Sequence, residues 1–231
     1  NTAIGKNALY SQNFTSATDT YNVAIGYEAG VAVTTGTVNT LIGALAGDAL
    51  TDADANVAIG VGALGADTVG SKTVAIGMNA LETQNMGSAT DTYNVAVGFE
   101  AGQLLTIGTN NTFIGGLSGD GNTDGNTNTA VGSQTLRANQ RGDRNTAIGY
   151  KALIDMNPSG DVDSHNTAVG FIAGHAVTTG LRNTFIGSNA GSNVAAGSDN
   201  VCIGYDAICV SSGDGDQIVI GNDVDSLAGN T

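Results

Sequence analysis

The sequence predicts an all-β fold, a parallel β-solenoid of about thirteen coils of 17 or 21 residues grouped in a 72-residue superrepeat. Three observations predict it. The stretch SATDTYNVA stands at residues 16–24 and again, unchanged, at 88–96, which is 72 residues later. Thirteen segments follow the pattern Asn-x-small-Ile/Val-Gly, with Thr73 and Gln217 replacing the Asn in two, and the steps between their glycines, from Gly5 to Gly221, run 21, 17, 17, 17 three times over. The composition is that of many narrow layers rather than one wide core: 35 Gly, 1 Pro, no Trp, 5% aromatic residues, with Ala, Val and Ile supplying the apolar mass.

The repeat divides the chain into superrepeats 1–72, 73–144 and 145–216 and a partial fourth, 217–231, in one array. The chain opens inside a motif and closes in a broken one, so it is expected to be a piece of a longer fibrous protein with any targeting signal elsewhere. Seven basic against 21 acidic residues give a net charge of −14, which opposes nucleic acid and anionic lipid by repulsion. No apolar run is long enough to insert into a membrane.

Each motif carries one strand. The residues one and three before the glycine are β-branched in all thirteen copies and share a face. That face, with Ile148 in it, is expected to be the interior. The middle residue is apolar too, eight times Ala and otherwise Leu41, Phe113, Phe185, Cys202 or Val219. A strand apolar on both faces is covered on both. The middle row, with Ala58, Ala96, Ala130, Phe113 and Phe185, is therefore expected to form an oligomer interface; the alternative is Ala tolerated on a solvated face.

After the glycine a second, shorter strand is expected. Ala stands three residues on in ten of thirteen coils, followed by a row reading Leu, Gly, Gly, Leu through the first two superrepeats. The Asn that opens eleven of the thirteen motifs is expected to form a hydrogen-bonded ladder at a corner.

With the rows in view, NTAIG, NVAIG, NTFIG and NTAVG, each followed by x-x-Ala, resemble the head repeats of YadA-like trimeric autotransporter adhesins and related bacteriophage tail-fibre β-rolls. The resemblance spans the chain. It implies a left-handed β-roll, three chains about one axis, an extracellular place on a bacterial surface or virion fibre, and attachment to a host-surface glycan or protein receptor. The coil here is longer than the family's.

Candidates for chemistry are sparse, and no catalytic role is expected. His165 and His175 lie in different coils with no partner placed by spacing, and no nucleophile elbow or glycosidase carboxylate pair is evident. Cys202 and Cys209 fall in one coil, where a free packed thiol and a disulfide both fit. Acidic loops at 51–56, 119–126 and 211–217 raise calcium, although solvated turns account for the same residues and no cofactor is required. The 21-residue coils carry four extra residues, expected to bulge into a recognition ridge bearing Phe14, Tyr21, Tyr93 and Met156. Function reduces to an adhesive fibre segment, a spacer filament without a receptor site, or a polysaccharide-degrading fibre.

Overall fold

A computed structural model describes residues 1–16, 18–209 and 215–225. Among these residues there is no helix, and thirteen three-residue strands, from Thr2–Ile4 to Ile218–Ile220, stack into one parallel sheet, each on the motif before it in sequence. Register follows the motif without a slip: Ala96 pairs with Phe113, Phe113 with Ala130, and Ala130 with Ala147. The chain is a β-solenoid of about thirteen turns, with the glycine row in closest contact. Gly98 sits at φ +144°, and a Cβ there would lie 2.5 Å from the carbonyl oxygen of Gly115, so the stack closes only without side chains on this row.

The two faces of the sheet are the reverse of the expected ones. Ala58, Ala96, Ala130, Phe113 and Phe185 are fully buried in the chain's own core, so this row is no oligomer interface. The flanking β-branched positions point outward; Ile148 keeps 38% of its surface exposed and is not core. The roll is narrow, which explains the reversal. Its interior takes Ala plus one large residue every fourth coil, whereas Val, Ile and Thr pack laterally along the outer ladder.

Among the described residues the expected second strand is absent. The segment after the glycine is a run of turns, because residues two and four beyond it adopt left-handed backbone, as at Glu28 (φ 56°) and Leu64 (φ 54°). A strand's pleat does not survive two such residues in three. The segment still closes the core. Ala29, Ala46, Ala63, Leu64, Leu81 and Leu136 are buried on it.

The 72-residue period is a packing rule. Leu41, Phe113 and Phe185 each occupy the third coil of a superrepeat, and the glycines of the Leu, Gly, Gly, Leu row surround them. A Cβ on Gly102 or Gly119 would come within 2.7 Å or 2.5 Å of the Phe113 ring, and one on Gly30 within 2.6 Å of Leu41. Large residues thus face missing ones, and Ala faces Leu.

The Asn row forms the ladder. Asn39 N–H donates to Asn22 Oδ1 (2.8 Å), Asn56 N–H to Asn39 Oδ1 (2.9 Å), and side-chain amides along the row donate to a backbone carbonyl fourteen residues on, Asn39 to Ala53 and Asn111 to Gly125 (both 2.8 Å), or, at Asn145, to the Oδ1 of the Asn before it. Where Thr73 interrupts the row, a buried network replaces it: Asn94 donates to Gln84 Oε1 (2.9 Å), and Gln84 donates to Asp67 (2.6 Å) and Thr73 (3.1 Å).

Candidate functional site

The long coils do place an exposed loop on one side. Residues 87–89 are exposed, and Thr90–Asp91 pairs with Gly70–Ser71 of the coil before. Tyr21 and Tyr93, both exposed, sit on left-handed corners at φ 50° and 51°, with His165 at the corresponding corner of the third superrepeat. Met156 does not belong to the ridge. It is fully buried, filling the interior row that holds Val33 and Leu105 in other coils; its place in a long coil concealed that interior role. Phe14 is half-buried.

Around Tyr93 the corner is polar. Lys72 Nζ lies 2.5 Å from Asp91 Oδ2 and 5.3 Å from the centre of the Tyr93 ring, whose hydroxyl donates to the same carboxylate at 3.2 Å. The hydrogen bond from Lys72 holds Asp91 below the usual carboxylate value, and Asp91 holds Lys72 above its own.

His175 Nδ1 lies 3.3 Å from the Ile172 carbonyl, and His165 is in another coil. Cys202 and Cys209 form a disulfide, both ends fully buried, which ties the strand to the turn wall of its coil. In the acidic loops Asp54 accepts from Thr37 N–H and Oγ1, at 2.7 and 2.8 Å, and Asp120 and Asp124 pair with Arg137 and Arg141. Residues 211–214 of the third acidic loop lie outside the described residues. Among the described residues no three His, Cys, Asp or Glu side chains are grouped to hold a metal ion. A shallow cleft of about 350 Å³ opens where Gly62 and Gly65 lack side chains between Asp48 and Glu82. Burial holds the Asp48 carboxyl above its usual range, against a backbone hydrogen bond that lowers it, and Glu28 adds to the rise.

The outward face is the surface that sequence reasoning misassigned. Two ladders of Thr, Val and Ile run along thirteen strands, roughly 60 Å at ~4.8 Å per coil. A third ladder, the residue after each glycine, was not singled out. It carries exposed Tyr27, Phe99, Phe171 and Tyr205, and the recurrence of Tyr27, Phe99 and Phe171 at 72-residue intervals was the available signal. Tyr150 stacks on Phe171 with centroids 5.5 Å apart and planes 18° from parallel, and Lys6 Nζ lies 5.6 Å from the centre of the Tyr27 ring.

No family model matches the chain, and no match emerges among curated proteins or solved structures.

Proposed function

We propose that this solenoid is a non-catalytic, extracellular fibre segment that self-associates along its outward sheet face and attaches a bacterial surface or phage tail fibre to a host-surface glycan or protein. The observation that carries the reading is the outward face itself, a continuous strip of β-branched residues with Ile4, Ile114, Ile148, Ile186 and Ile220 exposed. A strip of that length on a lone chain is an unusually large exposed apolar surface, and a second copy presents a complementary one. Three copies is the number implied by the likeness of the motifs to YadA-like heads. The buried disulfide fits an oxidising location, and the charge of −14 keeps such fibres soluble and apart elsewhere on their surface.

Light scattering combined with a cell-attachment assay tests the reading. The chain is expected to be oligomeric and to adhere, and Ile114→Asp with Ile148→Asp is expected to give folded monomers, since a buried unpaired carboxylate at an interface costs several kcal/mol. A wild-type chain that is monomeric overturns self-association. An oligomer that attaches to no host surface is a spacer.

A further inference from the structure

We propose that the slot over Ser188, walled by Phe171 and Tyr205, binds one neutral pyranose ring of a glycan. The three residues follow the motif glycines of successive coils, held in step by the pairs Val169 with Ile186 and Ile186 with Ile203. Tyr150 covers one face of Phe171, and because these rings stack between adjacent coils their planes lie across the stacking direction. The free face of Phe171 is therefore turned towards the next coil, where Ser188 is too short to cover it. Tyr205 stands one coil further, and both rings are more than half exposed, at 54% and 57%.

The width selects the ligand. Two coil steps separate the walls by ~9.6 Å at ~4.8 Å each, whereas a flat ring in contact on both sides needs only about 7 Å, twice the ~3.5 Å carbon contact distance. A puckered saturated ring, with hydrogens projecting from both faces, fills the difference and presents C–H groups to each wall. Polar partners stand one residue beyond the floor and the second wall. Asn189 donates to Asp206, leaving a carbonyl and the second carboxylate oxygen for vicinal hydroxyls. The Tyr205 phenol is held above its usual pKa first by its hydrogen bond to Asp206, so it stays protonated, with its proton directed at that carboxylate and its oxygen open to accept from a sugar hydroxyl. Asp206 and Asp223 repel an acidic sugar. The equivalent sites have the first wall and a small floor, Tyr27 over Ala44 and Phe99 over Gly116, but their second wall is Val61 or Ser133. Only the third is closed by two rings.

The inference rests on the attachment reading, so a glycan array of neutral and acidic glycans is probed with the soluble chain alongside attachment to host cells. Binding of a neutral glycan is expected. Ser188→Phe, which fills the slot at a surface turn, and Tyr205→Ala are each expected to weaken that glycan at least tenfold with circular dichroism unchanged, while Ala44→Phe, at the floor of an equivalent open site, leaves it intact. No neutral glycan bound, or binding that Ser188→Phe leaves unaltered, overturns the slot. So does a change of oligomeric state on Ser188→Phe, which would place a second copy there. If Ser188→Phe retains full cell attachment, the slot fails and the attachment reading stands; a chain that binds neither glycan nor cell overturns both.

Discussion

The Asn at each corner satisfies two neighbours at once. Asn111 accepts from Asn128 N–H at 2.9 Å and donates to the Gly125 carbonyl at 2.8 Å, and both sites are buried. Asn111→Ala orphans a donor and an acceptor, each costing about 1–3 kcal/mol, so a loss of roughly 2–6 kcal/mol is expected in urea unfolding. A loss under ~1 kcal/mol would mean that water replaces the ladder. Acid behaves differently at two kinds of carboxylate. Burial raises Asp48 and, despite the lowering charge of Arg137, Asp120. A folded-state value above the unfolded one means that the fold binds more protons, so these groups destabilise at neutral pH and the penalty fades as pH falls through the carboxylate range. Asp91 and Asp199, lowered by Lys72 and Arg182, have the opposite sign and lose their contribution in acid. Asp48→Asn is therefore expected to raise Tm by a few degrees or less at pH 7 and to have no effect near pH 3, checked by thermal melts at both. A gain that persists in acid would assign it to something other than the carboxylate charge.

At the scale of the coil, stability depends on matching a large residue in one row with missing side chains in another. Phe113 is fully buried between Gly102 and Gly119, and the first superrepeat holds Leu41 at the same place between Gly30 and Gly47. Phe113→Leu is accordingly expected to cost less than about 1.5 kcal/mol and Phe113→Ala about 3–5 kcal/mol in chemical denaturation. Gly119→Ala adds a Cβ 2.5 Å from the ring at φ +60°, and its cost is expected to shrink when combined with Phe113→Ala; strict additivity would refute the pairing. Strand positions, parallel register and coil length were legible because the motif repeats thirteen times with period-two alternation. Which face was interior was not. Both faces are apolar, and alternation alone does not rank an Ala, Leu and Phe row against a Val, Ile and Thr row. The deciding fact lay outside the strand, in the glycines that make room for Leu41, Phe113 and Phe185. The turn segment was misread because Leu9, Leu64 and Leu136 at positive φ, supported by stacking on neighbouring coils, defy local propensity.

For the whole molecule, these rules make the superrepeat and not the coil the unit that can be removed. Deleting residues 73–144 joins Lys72 to Asn145, and the next motif glycine, Gly149, then follows Gly60 at the normal 17-residue step with Leu64 and Leu153 adjacent, as Leu64 and Leu81 are now. One mismatch arises. Asp67 loses its hydrogen bond from Gln84 and meets Met156, whereas in the intact chain the residue one coil before Met156 is Asn139, bonded to Gly142 N–H and carbonyl at 2.9 Å each. Adding Asp67→Asn restores that natural pair. The shortened chain is expected to fold, to lose ~19 Å of length at ~4.8 Å per coil, and to show a urea m-value smaller by about a third, in proportion to the surface it buries. Deleting residues 105–121 removes one coil and preserves the spacing of the glycines, yet it takes Phe113 away from Gly102 and leaves Ala130 opposite the gap. That void is expected to cost on the order of 2–5 kcal/mol, felt in the adjoining coils because a solenoid couples nearest neighbours. Small-angle scattering and urea unfolding of the two deletions decide it: if the single-coil deletion is as stable per residue as the superrepeat deletion, the 72-residue period is an inheritance of the sequence with no energetic basis in the core.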